Sequence, residues 1–319
     1  MALGIKPIVD FAFKRIFGSA EHTLPLLALL QAILAPDQPL TEVEILNPFS
    51  YQEFQQDKLI VLDVRARDSA GRWLNIEMQV SIVPGLLQRL VYYACALYVD
   101  QLEAGGSYAT LRPAISICLL SKVLFRDVSF AHHRFRLVDR GHDRELSDAV
   151  EVHTLELTKY NLSESTITDA SAIEQWAFFL LLADRYEPAR LRELLPGAAF
   201  EQAIRALESI AAKTEDRAMY NQREKAQRDY RWQLDSAREE GREEGWVKGR
   251  REGREEGREE GVEIGALVGR IQLLQQLAGE TCDATASLVQ RPTSALVTLL
   301  ADLQQRLRTR ERDPDSPSS

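Results

Sequence analysis

Two short runs of alternating residues, separated by a five-residue turn, narrow the choice of fold more than anything else in this chain of 319 residues. In the first run Ile60, Leu62, Val64 and Ala66 are apolar; in the second, Leu74, Ile76, Met78 and Val80 are. The intervening positions hold Asp63, Arg65 and Arg67, then Asn75, Glu77 and Gln79. A period of two is the signature of strands that pack one face on a core. With Asp68 to Arg72 as the turn, Arg67 pairs with Trp73 and Asp63 falls opposite Glu77. Their Cβ atoms would then lie about 5 Å apart on one face.

Facing carboxylates repel. At that separation and an effective dielectric near 20 the cost is on the order of 3 kcal/mol. A sheet tolerates the pair if a proton is shared, if a cation such as Arg65 neutralises it, or if a divalent metal lies between. Oxygen ligands with room for water suit Mg²⁺ or Mn²⁺ rather than zinc. On pattern alone, the same residues also describe an amphipathic hairpin with a solvated polar face.

The spacing Asp63, thirteen residues, Glu77-Met78-Gln79 resembles the active-site signature of the PD-(D/E)XK nuclease superfamily. It is most similar to the recombination-promoting nuclease and transposase branch. That branch opens with a stretch like Asp10-Phe-Ala-Phe-Lys14-Arg-Ile-Phe17-Gly18. Its hairpin is followed by a helix like Arg89 to Leu102 and a strand like Tyr108 to Leu120. The four pieces occur in order over the first half of the chain. The resemblance implies that Asp63, Glu77 and the backbone carbonyl of Met78 hold a divalent cation for phosphodiester hydrolysis. It also implies that Gln79 stands where most of the superfamily has a lysine. A neutral amide hydrogen-bonds a water or phosphate oxygen but brings no positive charge. Electrostatic help would then fall to the metal, Lys14, Lys58 or Arg65.

Asp10 and Lys14 share a helical face at i,i+4. They read either as an extra acid and a phosphate contact, or as a helix-start acid with a surface ion pair. Arg89 and Tyr93 share a face opposite much of the stripe Leu86, Leu90, Ala94 and Leu97. They read either as backbone contacts to a nucleic acid or as residues covered when the helix lies on the sheet.

Around the hairpin, residues 19–35 read as an apolar helix, 42–47 as a short strand and 84–104 as a helix stopped by Gly105-Gly106. Pro113 to Leu120 is a continuous apolar run of the kind found in buried central strands. Phe130 to Val138 and Val152 to Leu157 read as further strands. The fold expected is α/β, a mixed central sheet flanked by helices with a restriction-endonuclease-like core, followed by an all-helical C-terminal region. The boundaries expected are a nuclease-like domain over 1–160, a helical extension over 161–236, a charged helix or linker over 237–270, a small helical module over 271–310 and a disordered tail over 311–319.

Charge argues partly against a nucleic-acid partner. The net charge is −9, and residues 1–160 carry 16 Lys/Arg against 19 Asp/Glu, whereas nucleic-acid binders usually show a basic footprint. Positive charge does gather locally, at Lys58, Arg65, Arg67 and Arg72 and again at Arg134, Arg136 and Arg140. That predicts weak, salt-sensitive engagement of DNA. No GxSxG elbow, Walker loop or dinucleotide fingerprint occurs. The three cysteines lack CxxC spacing, and the five histidines read as structural or solvated. No apolar run approaches a membrane span, and the N-terminus carries no secretion signal; the expectation is a cytoplasmic protein.

Glycine stands at every fourth position from Gly241 to Gly269, mostly in Arg-Glu-Glu-Gly units. Eight helical glycines cost roughly 8 kcal/mol relative to alanine, so a regular helix here invites explanation. Either a second helix approaches along the glycine track, or the segment is a solvated spacer. Residues 238–260 hold seven basic and nine acidic residues, which excludes a DNA-binding arm. Ile271 to Leu277 and Ala295 to Leu307 read as amphipathic helices of a small bundle. The sequence therefore predicts a Mg²⁺- or Mn²⁺-dependent DNA endonuclease linked to recombination or transposition. The alternative is a non-catalytic nuclease-fold protein that self-associates through 238–310.

Overall fold

The computed structural model describes residues 2–47, 49 and 64–312. The chain divides into two compact units, 1–232 and 233–319. In the first, α1 (Asp10–Phe17) and α2 (Leu24–Leu34) precede β1 (Val43–Ile45), β2 (Val64–Asp68) and β3 (Trp73–Gln79). Helix α3 (Leu86–Val99) leads to β4 (Ala114–Leu120), and then β5 (His132–Asp139) and β6 (Arg144–Glu156) close the sheet. Helices α4 (Ala172–Leu182), α5 (Pro188–Leu194) and α6 (Ala198–Ala212) follow.

The sheet order is β1-β2-β3-β4-β6-β5. β1, β2 and β3 are antiparallel, β3, β4 and β6 run parallel, and β5 is an antiparallel edge strand. A mixed sheet with helices on both faces is the restriction-endonuclease-like α/β architecture. The hairpin register has Arg67 opposite Trp73 and Val64 opposite Ile76, as the alternation predicts. Its turn is closed by the Asp68 carboxylate, which accepts from the Ala70 and Arg72 amides and from Arg72 Nε. Gly71 supplies the left-handed backbone, with φ +78°.

Each sheet face builds its own core. Leu74, Ile76 and Met78 face the same side as Ile115, Ile117 and Leu119, where α1, α2 and α4 to α6 bury them in the main core. The helices after residue 165 thus share a core with the sheet. α4 starts at a capping box in which Ser171 and Glu174 satisfy each other's backbone amides. On the opposite face, Leu86, Leu90 and Ala94 of α3 pack on Cys118, Leu120 and Val152. Burying side chains of this size is worth roughly 1.5–3 kcal/mol each.

α7 (Thr214–Ala278) is one continuous helix through the whole glycine repeat. Among the described residues nothing lies within 4 Å of the place a Cβ would occupy at any of the eight repeat glycines. None of the described residues therefore covers the track. Ile271 to Leu277 belongs to this same helix instead of forming a separate one, because no proline or left-handed residue interrupts it before Gly279. In the second unit Val268 and Ile271 pack with Leu288 of α8 (Thr285–Val289) and with Leu296 and Leu303 of α9 (Thr293–Arg312), forming a small core. Among the described residues no helix is long and apolar enough to cross a membrane. The expected disordered tail lies mostly outside the described residues.

Candidate active site

The strand β3 places Asn75, Glu77 and Gln79 in a row, and the row is not solvated. Asn75 is 3% and Glu77 1% exposed, because α3 lies over this face. The solvated-hairpin reading fails here for that reason. Each oxygen of Glu77 takes an amide from the same strand: Asn75 Nδ2 donates to Oε1 at 3.2 Å, and Gln79 Nε2 to Oε2 at 3.0 Å. From α3, a terminal nitrogen of Arg89 stands 3.7 Å from Oε2, and the Arg89 guanidinium lies 5.9 Å from the centroid of the Tyr93 ring. Arg89 is the described guanidinium beside the carboxylate. Arg65, the candidate from the sequence, is exposed on β2; it pairs with Asn75 in register and gives its own amide to Asn47.

Backbone alternation sets the remaining oxygen. Trp73 donates its amide to Pro113, and the Gln79 carbonyl accepts from Ser121, so the odd-numbered residues of β3 bond toward β4. The carbonyl of Met78 therefore points the other way, toward the β2 side. Two further buried oxygens, Asn75 Oδ1 and Ser116 Oγ on the adjoining strand, have no hydrogen-bond partner among the described residues. A buried polar atom left unpaired costs about 1–3 kcal/mol. Carboxylate, carbonyl and neutral amide oxygens fit a hard divalent cation. Among the described residues no three His, Cys, Asp or Glu side chains gather as a metal cage. Asp63 and Lys58, on which the expected opposing acid and one expected cation depend, lie outside the described residues.

The other candidates are placed elsewhere. Asp10 is buried at the start of α1; it accepts from the Phe11 amide at 2.8 Å and lies 3.7 Å from Arg223 of α7. Burial pushes its carboxyl above the usual range, against the pull of Arg223 and, more weakly, Lys14. Arg223 is its ion-pair partner, and no local spacing pointed to it. Lys159 sits near the carboxyl edge of the parallel strands but does not replace the missing lysine. Its ammonium is spent on the carbonyls of Phe125, Val128 and Phe130 and on Glu156. Two of the histidines form a relay on the other sheet face: His132 Nε2 lies 2.7 Å from His153 Nδ1, and His153 Nε2 bonds Glu151.

A buried glutamate on a central strand, flanked by carbonyl and amide oxygens inside a restriction-endonuclease-like sheet, defines a nuclease-fold protein. The chain belongs to the family described as PD-(D/E)XK nuclease family transposase, whose sequence model matches residues 7–237. No curated protein and no solved structure matched the chain. The membership agrees with the resemblance read from the hairpin and supports a nuclease- or transposase-like role.

Proposed function

We propose that this protein is a Mg²⁺-dependent DNA endonuclease serving recombination or transposition. The observation that carries the reading is the Glu77 carboxylate, buried and held at both oxygens by strand neighbours. Asp63, Glu77 and the Met78 carbonyl would hold the cation. Bound there, Mg²⁺ (or Mn²⁺) supplies Lewis acidity at a phosphodiester oxygen and lowers the pKa of a water.

The protein's own groups do the rest. Gln79 fixes Oε2 of Glu77 through one amide proton and keeps a second proton and a carbonyl oxygen to orient a water or phosphate oxygen. It brings no charge, so the positive field comes from Arg89, whose side chain is 36% exposed and reaches solvent beside the carboxylate. α3 excludes water from the inner side of the row, which strengthens the electrostatics there.

The test is cleavage of plasmid DNA with Mg²⁺ and with a chelator. Wild type should cut only with the metal, and Asp63→Ala and Glu77→Ala should each abolish cutting while retaining the circular dichroism of the wild type. Equal cutting by all three proteins would sink the proposal. One observation favours a second reading, a non-catalytic assembly protein: Val262, Leu273 and Leu277 are exposed on α7. Calorimetry with Mg²⁺ separates the two, because a protein kept only for assembly has no need of the cation.

A further inference from the structure

We infer that the chain carries a second anion site, for phosphate groups, where Arg72, Arg134 and Arg136 converge at the far end of the sheet from Glu77. Arg72 immediately precedes β3, and Arg134 and Arg136 lie on β5. Trp73 pairs with Ala114, and Ala114 with Val150, so this is the amino edge of the parallel strands, whereas Gln79 ends β3 at the carboxyl edge. Six strand steps separate the two edges, about 20 Å.

Two cavities open there, of about 640 and 340 Å³, and the residues common to their linings are these three arginines. All three are tethered alike. Arg72 gives Nε to Asp68 at 2.7 Å, Arg134 gives Nε to Glu151 at 2.7 Å, and Arg136 gives Nε to the other oxygen of Glu151 at 2.9 Å. Asp68 and Glu151 are both buried. Arg136 spends one terminal nitrogen on Glu145. The other terminal nitrogens, both on Arg72, both on Arg134 and one on Arg136, have no partner among the described residues.

A purely structural arginine pair tends to use its terminal fork on the carboxylate, since two parallel bonds are stronger than one. Holding each guanidinium by Nε does the reverse. It fixes the plane and leaves the fork free, in the geometry that matches a phosphate. Glu151, kept anionic down to about pH 2 chiefly by His153 and Arg134 against its own burial, is the positioning residue for two of the three. Glu145 and Asp148 line the smaller cavity and Asp37 the larger. With those acids near, the cleft offers short directed bonds to a few phosphates instead of a broad positive field. The phosphates are those of a nucleic-acid backbone or of free phosphate; the first source rests on the proposed function above.

The test uses the full chain in chelator, so that the Glu77 site contributes no metal-bridged affinity. Anisotropy of a short fluorescent duplex is measured for wild type, Arg72→Gln, Arg134→Gln and Arg134→Lys, with inorganic phosphate as a competing probe. Each Gln variant should weaken duplex binding about threefold or more and lower the salt slope by about one. Arg134→Lys, which keeps the charge but not the fork, should lose affinity with less change in slope. Competition by phosphate with unchanged duplex affinity in the variants would assign the cleft to free phosphate. Folded variants that bind duplex and phosphate as wild type does would overturn the site. Plasmid cleavage by the wild type with Mg²⁺ is scored on the same preparation, so failure of the nuclease reading is separately visible.

Discussion

The histidine relay predicts how the fold answers to acid. His132 donates or accepts at Nε2 with His153, which is tied in turn to Glu151. Burial, reinforced by the electrostatic influence of His153, His133 and Arg134, pushes the pKa of His132 from 6.5 down to about 4, and the attraction of Glu151 does not reverse it. The folded pKa lies below the unfolded one, so the unfolded chain binds the proton first. The stabilisation is therefore complete above about pH 6.5 and lost as pH falls through about 4. A gap of about 2.5 pH units corresponds to roughly 3 kcal/mol as an upper bound, and partial exposure of the ring lowers this to about 1–2 kcal/mol. For a unit of this size that is roughly 3–6 °C in Tm. His132→Gln keeps an amide donor for His153 but cannot titrate. Thermal melts of both proteins at steps from pH 7 to pH 4 should show the wild type falling faster by that amount. Below pH 4.5 both should fall together as Glu151, held at about 2, takes up its proton. Parallel curves across the upper range would refute the relay as a buried neutral pair.

Other substitutions test the remaining parts. Gly249→Ala and Gly253→Ala meet open space and should each stabilise the helix by about 1 kcal/mol in circular-dichroism melts. Loss of an assembly by light scattering in the same variants would instead place a second helix on the track. Gln79→Ala should slow DNA cleavage about 10- to 100-fold and leave calorimetric Mg²⁺ affinity nearly unchanged; a parallel loss of metal binding would make Gln79 a support for Glu77 and not a contact to the reacting atoms. Replacing Leu273 and Leu277, both exposed on α7, by glutamate should lower the mass of any self-associated form in solution. An unchanged mass would remove that stripe from the assembly.

What could be read from sequence was what neighbouring residues settle among themselves. The Arg67–Trp73 register followed from a period of two and a short turn, and Pro113 to Leu120 declared a central strand by holding no charged residue and only one small polar one, Ser116. What could not be read depended on distant segments. Alternation shows that Asn75 and Glu77 share a face but not that α3 covers it, and so Arg65 on the neighbouring strand looked the nearer cation while Arg89 holds the place. Asp10 meets Arg223 across more than two hundred residues, and His132 meets His153 only because β5 folds back on β6. The glycine period was legible and its outcome was not, since glycine lowers helix propensity without forbidding the helix.

The ammonium of Lys159 draws three carbonyls of the 125–130 loop and one carboxylate onto a single point. That loop leaves β4 at Ser121, whose amide is bonded to the carbonyl of Gln79. The segment that follows β4 is thus fixed at one end by the strand of Gln79 and at the other by Lys159. A change that neutralises this lysine would leave three carbonyls and the buried Glu156 without their common partner and slacken the segment between β4 and β5.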